Sequence, residues 1–411
     1  MESRIRLIKV IAALIFLSAI TNGTEKNTKS ISPDHSRMEQ FTWFEVIGER
    51  NPNVGEGKFD VARDIAQAED GGYFVTGVSQ TIGNHVFVIR LDPDGSMKWY
   101  KIYIKEQASW GNAIIHTSDN GFIIAGGIYP KDSKNSDMLL LKIDKNGNQL
   151  WAKTFGGKLS DLATDVIEDR NGGYIMVGTK DIREGIFPNW ATNYAYIIKV
   201  NEKGDTIWEK RLGVPGKQSN LNNVIQSADG DYITVGSAVT EARGISAWIT
   251  KVDTAGNEVW ENHFGEIGVE HAYAVQKVPG GYFMAGDEEI ISGAFIMKLW
   301  KLDENGKKIF EKPLGDFSSG FAHSMEIAND ENILLVGSKV LTGKKAGIIT
   351  VHKIDQNGNK IWEKPYGAKS ESTAQSIRRT SDGGFIIAGN TTPIFLSNYD
   401  ILVIKLDEHG Y

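Results

Sequence analysis

Residues 353–367 read KIDQNGNKIWEKPYG. An Asp, an Asn-Gly pair and a second Asn make a tight hairpin, because Asp and Asn bond their own backbone and glycine accepts a positive φ. The alternation around Trp362 then suits a strand with one buried face. The same frame recurs. Acidic turns stand at LDPDGS (91–96), IDKNGN (143–148), VDTAGN (252–257), LDENGK (302–307) and IDQNGN (354–359). The aromatic position recurs at Trp43, Trp99, Trp151, Trp208, Trp260, Phe310 and Trp362, at intervals of 56, 52, 57, 52, 50 and 52 residues.

Some twenty residues after the aromatic comes a further signature: DGGYFVTG (70–77), DNGFIIAG (119–126), NGGYIMVG (171–178), DGDYITVG (229–236), PGGYFMAG (279–286) or DGGFIIAG (382–389). The sixth unit departs from it with DENILLVG (330–337). Three motifs in fixed order, seven times over, define a repeat architecture. Each unit reads as four short strands, and in the last one they are 374–380, 384–390 and 400–407 with no fourth. The sequence predicts an all-β chain, a seven-bladed β-propeller of four-stranded blades. The seven repeating aromatics are expected to be core.

The D-x-x-G-x-x-x-W pattern in KIDQNGNKIW (353–362) resembles the repeats of PQQ-like propellers, which include quinoprotein dehydrogenases and outer-membrane assembly propellers. The combined DGGY…LDxNG…W unit is similar to the repeat of secreted bacterial propeller proteins. The resemblance covers residues 41–411 and implies architecture rather than a particular activity. Quinoprotein dehydrogenases typically carry eight blades and a vicinal disulfide stacked on the cofactor. Seven expected blades and the absence of cysteine set this chain apart, and no cofactor is expected.

The ends of the chain carry their own signals. Arg4, Arg6 and Lys9 precede an apolar run, Val10 to Ile20, too short to span a bilayer. Residues 1–23 are read as a signal peptide, and 24–40 as a flexible polar leader. No cysteine follows the run, so no lipid anchor is expected, and the protein is expected to be exported to the periplasm or beyond. FTWFEVIGE (41–49) is a spare copy of the aromatic strand. Pairing residues 41–48 into the incomplete last unit would close the ring and cover a sheet edge.

Composition narrows the function. The chain has 411 residues, 41% of them hydrophobic, and a net charge of −7. Mild acidity without a Lys/Arg run argues against nucleic-acid binding. Zero cysteine excludes disulfides, thiolate metal sites and cysteine nucleophiles. The acidic turns place glycine at the fourth position, too early for a calcium loop, and no bidentate Glu follows at the expected distance, so they are read as hairpins, and no metal is expected.

Long irregular loops at 127–137, 179–195, 237–246 and 390–399 share one rim, where variable binding residues are expected. Trp110, in the crossing into the second unit, and Tyr129 stand there with Arg183, Glu184, Phe187 and Trp190 of the longest loop. Their aromatic faces suit sugar rings. Aligning the first strands places Arg63, Asn112, Thr164, Asn222, Tyr273, His323 and Gln375 at one equivalent position around a channel mouth. His271 lies just before Tyr273, and Asp60, Asp161 and Glu270 enter the same strands. Arg63 could neutralise a uronate carboxylate while Tyr273, His271 or His323 moves protons in a β-elimination. Paired carboxylates from Asp60, Asp161 and Glu270 would instead suit glycoside hydrolysis. A polar ring hydrating the channel, and loop aromatics packing their own loops, are the structural alternatives. The run Asp287-Glu288-Glu289 is read as a solvated loop, and His85 as a loop residue of the first unit.

The sequence thus points to an exported monomeric propeller that recognises polysaccharide. Lyase and hydrolase activity stay open, with the lyase favoured. A non-catalytic module for carbohydrate or protein, and a scaffold for cell-envelope assembly, are the alternatives.

Overall fold

The repeated hairpins and alternating strands fold as their pattern dictates. A computed structural model describes residues 42–411 apart from 48–59, 81–82, 183–191, 215, 241–243, 266–267, 292–293, 316–319, 341–346, 368–370 and 393–399. The segments read as signal peptide and leader therefore lie outside the described residues. All 28 regular elements described are strands.

The strands pair antiparallel within each repeat. The first repeat joins Asp60–Gln67, Tyr73–Ser79, His85–Leu91 and Met97–Ile102 in order. The seventh joins Ser372–Arg379, Phe385–Thr391 and Asp400–Leu406, and its fourth strand is Trp43–Ile47 from the other end of the chain. That strand pairs in register from Trp43↔Lys405 to Ile47↔Ile401. The fourth and fifth repeats depart from separate sheets. Two parallel pairs, Gly244↔Gly268 and Ile245↔Val269, join them into one eight-stranded sheet. Two glycines at that contact leave no side chain to hold the backbones apart.

The 3–4 hairpins close by the chemistry expected of them. Asp144 Oδ1 accepts from the Asn146 and Asn148 amides at 2.9 and 2.8 Å. Asp253, Asp303, Asp355 and Asp407 repeat the arrangement. These carboxylate oxygens are spent on their own turns.

Apolar packing runs between repeats. Seven hydrophobic clusters are each drawn from two neighbouring repeats. Ile47, Ile89 and Val403 meet in one that joins the seventh repeat to the first. The strand Asp60–Gln67 lies against both Ser109–His116 and Ser372–Arg379. Four-stranded sheets stacked through apolar seams fit a β-propeller.

The repeating aromatics differ from expectation. They are half-buried, because the fourth strand is the outermost of its sheet. Each ring presses on the hairpin glycine of the next repeat: Trp99 on Gly147, Trp151 on Gly204, Trp208 on Gly256, Trp260 on Gly306, Phe310 on Gly358 and Trp362 on Gly410. Trp43 presses on Gly95 in the same way. These glycines combine a positive φ with a ring where a side chain would go.

A second repeating contact escaped the sequence analysis. A cation two residues before the acidic turn reaches the Asp of its repeat's 1–2 hairpin. Arg90–Asp70, Lys142–Asp119, Lys199–Asp169, Lys251–Asp229, Lys353–Asp330 and Lys405–Asp382 lie 2.5–2.9 Å apart. Pro279 takes the aspartate's place in the fifth repeat, and Lys301 Nζ instead donates to the Pro279 carbonyl at 3.3 Å. Arg-Leu-Asp, Lys-aliphatic-Asp or, in the third repeat, Lys-Val-Asn before each turn was the available signal.

Two predictions follow from this packing. Gly204→Ala would put a Cβ 2.9 Å from the Trp151 ring at φ +78°, so it should cost roughly 1–2 kcal/mol or more. Trp151→Ala should cost about 2–3 kcal/mol, and in urea melts the double variant should lose less than the sum. Additive losses would refute the contact. His352 is fully buried, and burial holds its pKa below the usual 6.5. The unfolded chain binds that proton more readily, so stability is lost as pH falls below about 6.5. Between pH 7 and 5 the melting temperature of the natural protein should fall further than that of His352→Asn.

Candidate functional site

The position expected at a channel mouth coincides with a backbone irregularity in every repeat. Strand register shifts at Ala62/Asp64, Gly111/Ala113, Ala163/Asp165, Leu221/Asn223, Ala272/Ala274, Ala322/Ser324 and Ala374/Ser376. The skipped residues are Arg63, Asn112, Thr164, Asn222, Tyr273, His323 and Gln375. A bulge re-aims one side chain and leaves its backbone outside the ladder. Arg63 is exposed and the other six are half-buried, each following a buried residue.

Three of the seven are structural latches. Asn112 Nδ2 donates to the Ala163 carbonyl at 2.7 Å, Thr164 Oγ1 to that of Leu221 at 2.8 Å, and Asn222 Nδ2 to that of Ala272 at 2.8 Å. Each ties its repeat to the next. Tyr273, His323, Gln375 and Arg63, from repeats five, six, seven and one, make no such backbone latch among the described residues.

His271, two positions before Tyr273, pairs with a buried carboxylate. His271 Nδ1 lies 2.8 Å from Asp287 Oδ1, and the His271 and Tyr273 ring centroids are 5.8 Å apart. Asp287 is fully buried. It lies within the strand Gly281–Ile291, so the solvated loop expected at 287–289 is a buried strand position instead. Pairing His271 with Asp287 across the hairpin is what puts the two groups together. A carboxylate on Nδ1 fixes the tautomer and leaves the Nε2 lone pair to accept a proton. Burial pushes the Tyr273 phenol above its usual pKa, and the Asp287 charge adds to this. Tyr273 therefore stays protonated and can donate. Burial, helped by the Arg63 charge, pushes the His323 pKa down to about 4, which keeps that ring neutral. Desolvation by the surrounding protein also lowers the Arg63 pKa although the residue as a whole stays exposed, and the guanidinium stays charged at neutral pH.

The hydrolytic carboxylates are placed elsewhere. Asp60 and Asp161 begin their first strands, Glu270 is the third residue of Gly268–Val278, and all three are almost fully buried. Alternation turns them away from the half-buried positions that follow them, Val61, Leu162 and His271. Asp161 accepts from the Gly157 and Asp181 amides at 2.8 and 3.1 Å, while burial pushes its pKa up to about 6. Lys298 Nζ donates to Glu270 at 3.1 Å. These carboxylates hold crossings and sheets together.

The aromatic pair is placed in part. Trp110 is the second residue of the strand Ser109–His116, not a crossing residue, and its indole packs where a side chain on Gly127 would lie. Its centroid is 5.6 Å from that of Tyr129, which is 40% exposed. Arg183, Glu184, Phe187 and Trp190 lie outside the described residues. His85 opens the strand His85–Leu91 and is buried, with Nδ1 3.0 Å from the Gln107 carbonyl. Asp287 is the site residue that sequence reasoning missed. Its strand pairing opposite His271 was legible only as the usual register of a Gly-Gly hairpin at 280–281.

No protein-family model and no curated relative matches the chain. Solved structures do. The chain is similar to a puromycin hydrolase, with a TM-score of 0.54 at 12% identity over 88% of this chain and 54% of that one. It thus spans about half the hydrolase's length. It is similar to the polysaccharide lyase Uly1, with a TM-score of 0.53 at 9% identity over 86% of this chain and 91% of that one. YCF48 bound to D1 peptide aligns at a TM-score of 0.49 and 13% identity over 88% and 94%. At such identities the first two likenesses speak for fold alone, and the fold they share with this chain is β-propeller-like.

Proposed function

We propose that the chain is a seven-bladed propeller, closed by its strand Trp43–Ile47, that binds acidic polysaccharide at the channel mouth and cleaves it by β-elimination. The contact of the first strands of repeats seven and one, and the Trp43–Gly95 packing, support the closure. The reading includes export, argued from residues 4–20, and action as a monomer.

The observation that carries the chemistry is the buried Asp287 carboxylate on His271 beside a protonated Tyr273. Arg63 pairs with the uronate carboxylate and acidifies the proton on the adjacent ring carbon. His271 Nε2 takes that proton. The C–O bond to the departing sugar breaks, its electrons leave with oxygen, and a ring double bond forms. Tyr273 protonates the leaving oxygen, and the proton on His271 restores it through solvent. His323, neutral and adjoining in the next repeat, donates to or accepts from the sugar hydroxyls. Trp110 and Tyr129 lie in the second repeat, so they serve a polymer rather than a single sugar. A non-catalytic carbohydrate module is the second reading, favoured by the exposure of Tyr129 beside Trp110.

The purified mature chain should release unsaturated uronates, followed by ultraviolet absorbance, from acidic but not neutral polysaccharides. His271→Ala should lower kcat about 10²–10⁴-fold. Asp287→Asn should lower kcat with little change in KM and shift the pH profile. His323→Ala should abolish turnover without lowering the melting temperature. Retained binding with no absorbance change on any acidic polymer would favour the binding module. Deleting residues 41–48 should abolish cooperative melting, and a retained transition would refute closure.

A further inference from the structure

Where repeats five and six meet, the 2–3 loop end carries a pair of rings that the repeat does not require. In repeats one and two the carbonyls of Asn84 and Ser136 accept from the amides that open the next first strand, Ser109 and Asp161, each at 2.7 Å. Phe295 holds that place in repeat five, standing before Lys301 as Asn84 stands before Arg90. Asn193, Ile245 and Gly347 hold it in repeats three, four and six, so Phe295 is the one ring there among the described residues. Phe321 lies two residues before the bulge at His323, where repeat two has Trp110 and repeat five has His271.

These rings run into the groups of the proposed site. The centroids of Phe321 and Phe295 are 5.4 Å apart, those of Phe295 and His271 6.1 Å, and those of His271 and Tyr273 5.8 Å. All four side chains are half-buried, so none is sealed into the core. Met297, two positions further along the strand from Phe295, is fully buried and already fills the seam with Ala322 and Met325. The two phenylalanines therefore lie above the core rather than within it. Glu289 pairs with Phe295 across the hairpin and takes the same side of its strand as Asp287. Acidic groups there oppose a second uronate, whereas phenyl rings bury the apolar face of an uncharged sugar.

We propose that Phe295 and Phe321 form a stacking subsite for an uncharged sugar ring of the polymer, along the chain from the uronate that Arg63 holds. The inference rests on the polysaccharide reading above and adds a substrate class, a polymer that joins uronates to neutral sugars rather than a uronate homopolymer. The first strand of repeat seven lies against those of repeats six and one. A bound chain thus runs from Arg63 past His323 and Tyr273 to the phenyl pair.

Affinity electrophoresis of the full chain carrying Tyr273→Phe, which keeps the ring and removes the proton donor, tests this. The gels hold hyaluronan or chondroitin, in which uronates alternate with uncharged sugars, or the homopolymers alginate and polygalacturonate. The mixed polymers should retain the protein more strongly than the homopolymers. Phe321→Leu keeps an apolar side chain and loses the ring, so it should weaken that retention about tenfold with little change in melting temperature. Phe321→Trp should preserve it, and on a cleaved polymer Phe321→Leu should raise KM by a similar factor. Equal retention by the homopolymers, or retention untouched by both Phe321→Leu and Phe295→Leu, would overturn the subsite while the polysaccharide reading stands. Neither retention nor cleavage of any acidic polymer would remove that reading, and the subsite with it.

Discussion

The rest of the molecule depends on a ring of one repeat lying on the hairpin glycine of the next. Trp151 on Gly204 and Trp43 on Gly95 are instances. The turn needs a positive φ, and the ring needs the space of a missing side chain. Glycine satisfies both demands at once. Because the contact always points forward, no four-stranded unit is complete alone. Each supplies half of a seam, and the buried clusters lie in the seams.

Repetition also supplies the background against which function stands out. At the bulged position the bland solution is a latch onto the following repeat, as Asn112, Thr164 and Asn222 show. Where the latch is given up, the residues are Tyr273, His323, Gln375 and Arg63.

Burial then sets the chemistry of those groups. A histidine at the bulge of repeat six is neutral because desolvation disfavours its charge, and nearby Arg63 acts in the same sense. Tyr273 is held protonated by burial and by Asp287.

The sequence by itself determined the strands, the hairpins and the period of the repeat. Those features rest on local chemistry: Asp and Asn bonding their own turn, glycine at positive φ, and alternation along a strand. It also located the seven bulge residues, since one alignment on the first strand brings them into register. The cation two residues before each turn was legible too, and was overlooked because a lone Lys carries no visible partner. Tertiary structure alone decided which bulge residues are latches, because the acceptor carbonyls belong to the next repeat. It alone brought Asp287 from an apparent acidic loop to His271, and buried Asp60, Asp161 and Glu270 on the other side of their strands from His271 and its equivalents. Those outcomes depend on which side of a paired strand a residue takes and what the neighbouring sheet places against it. Neither is written in spacing along the chain.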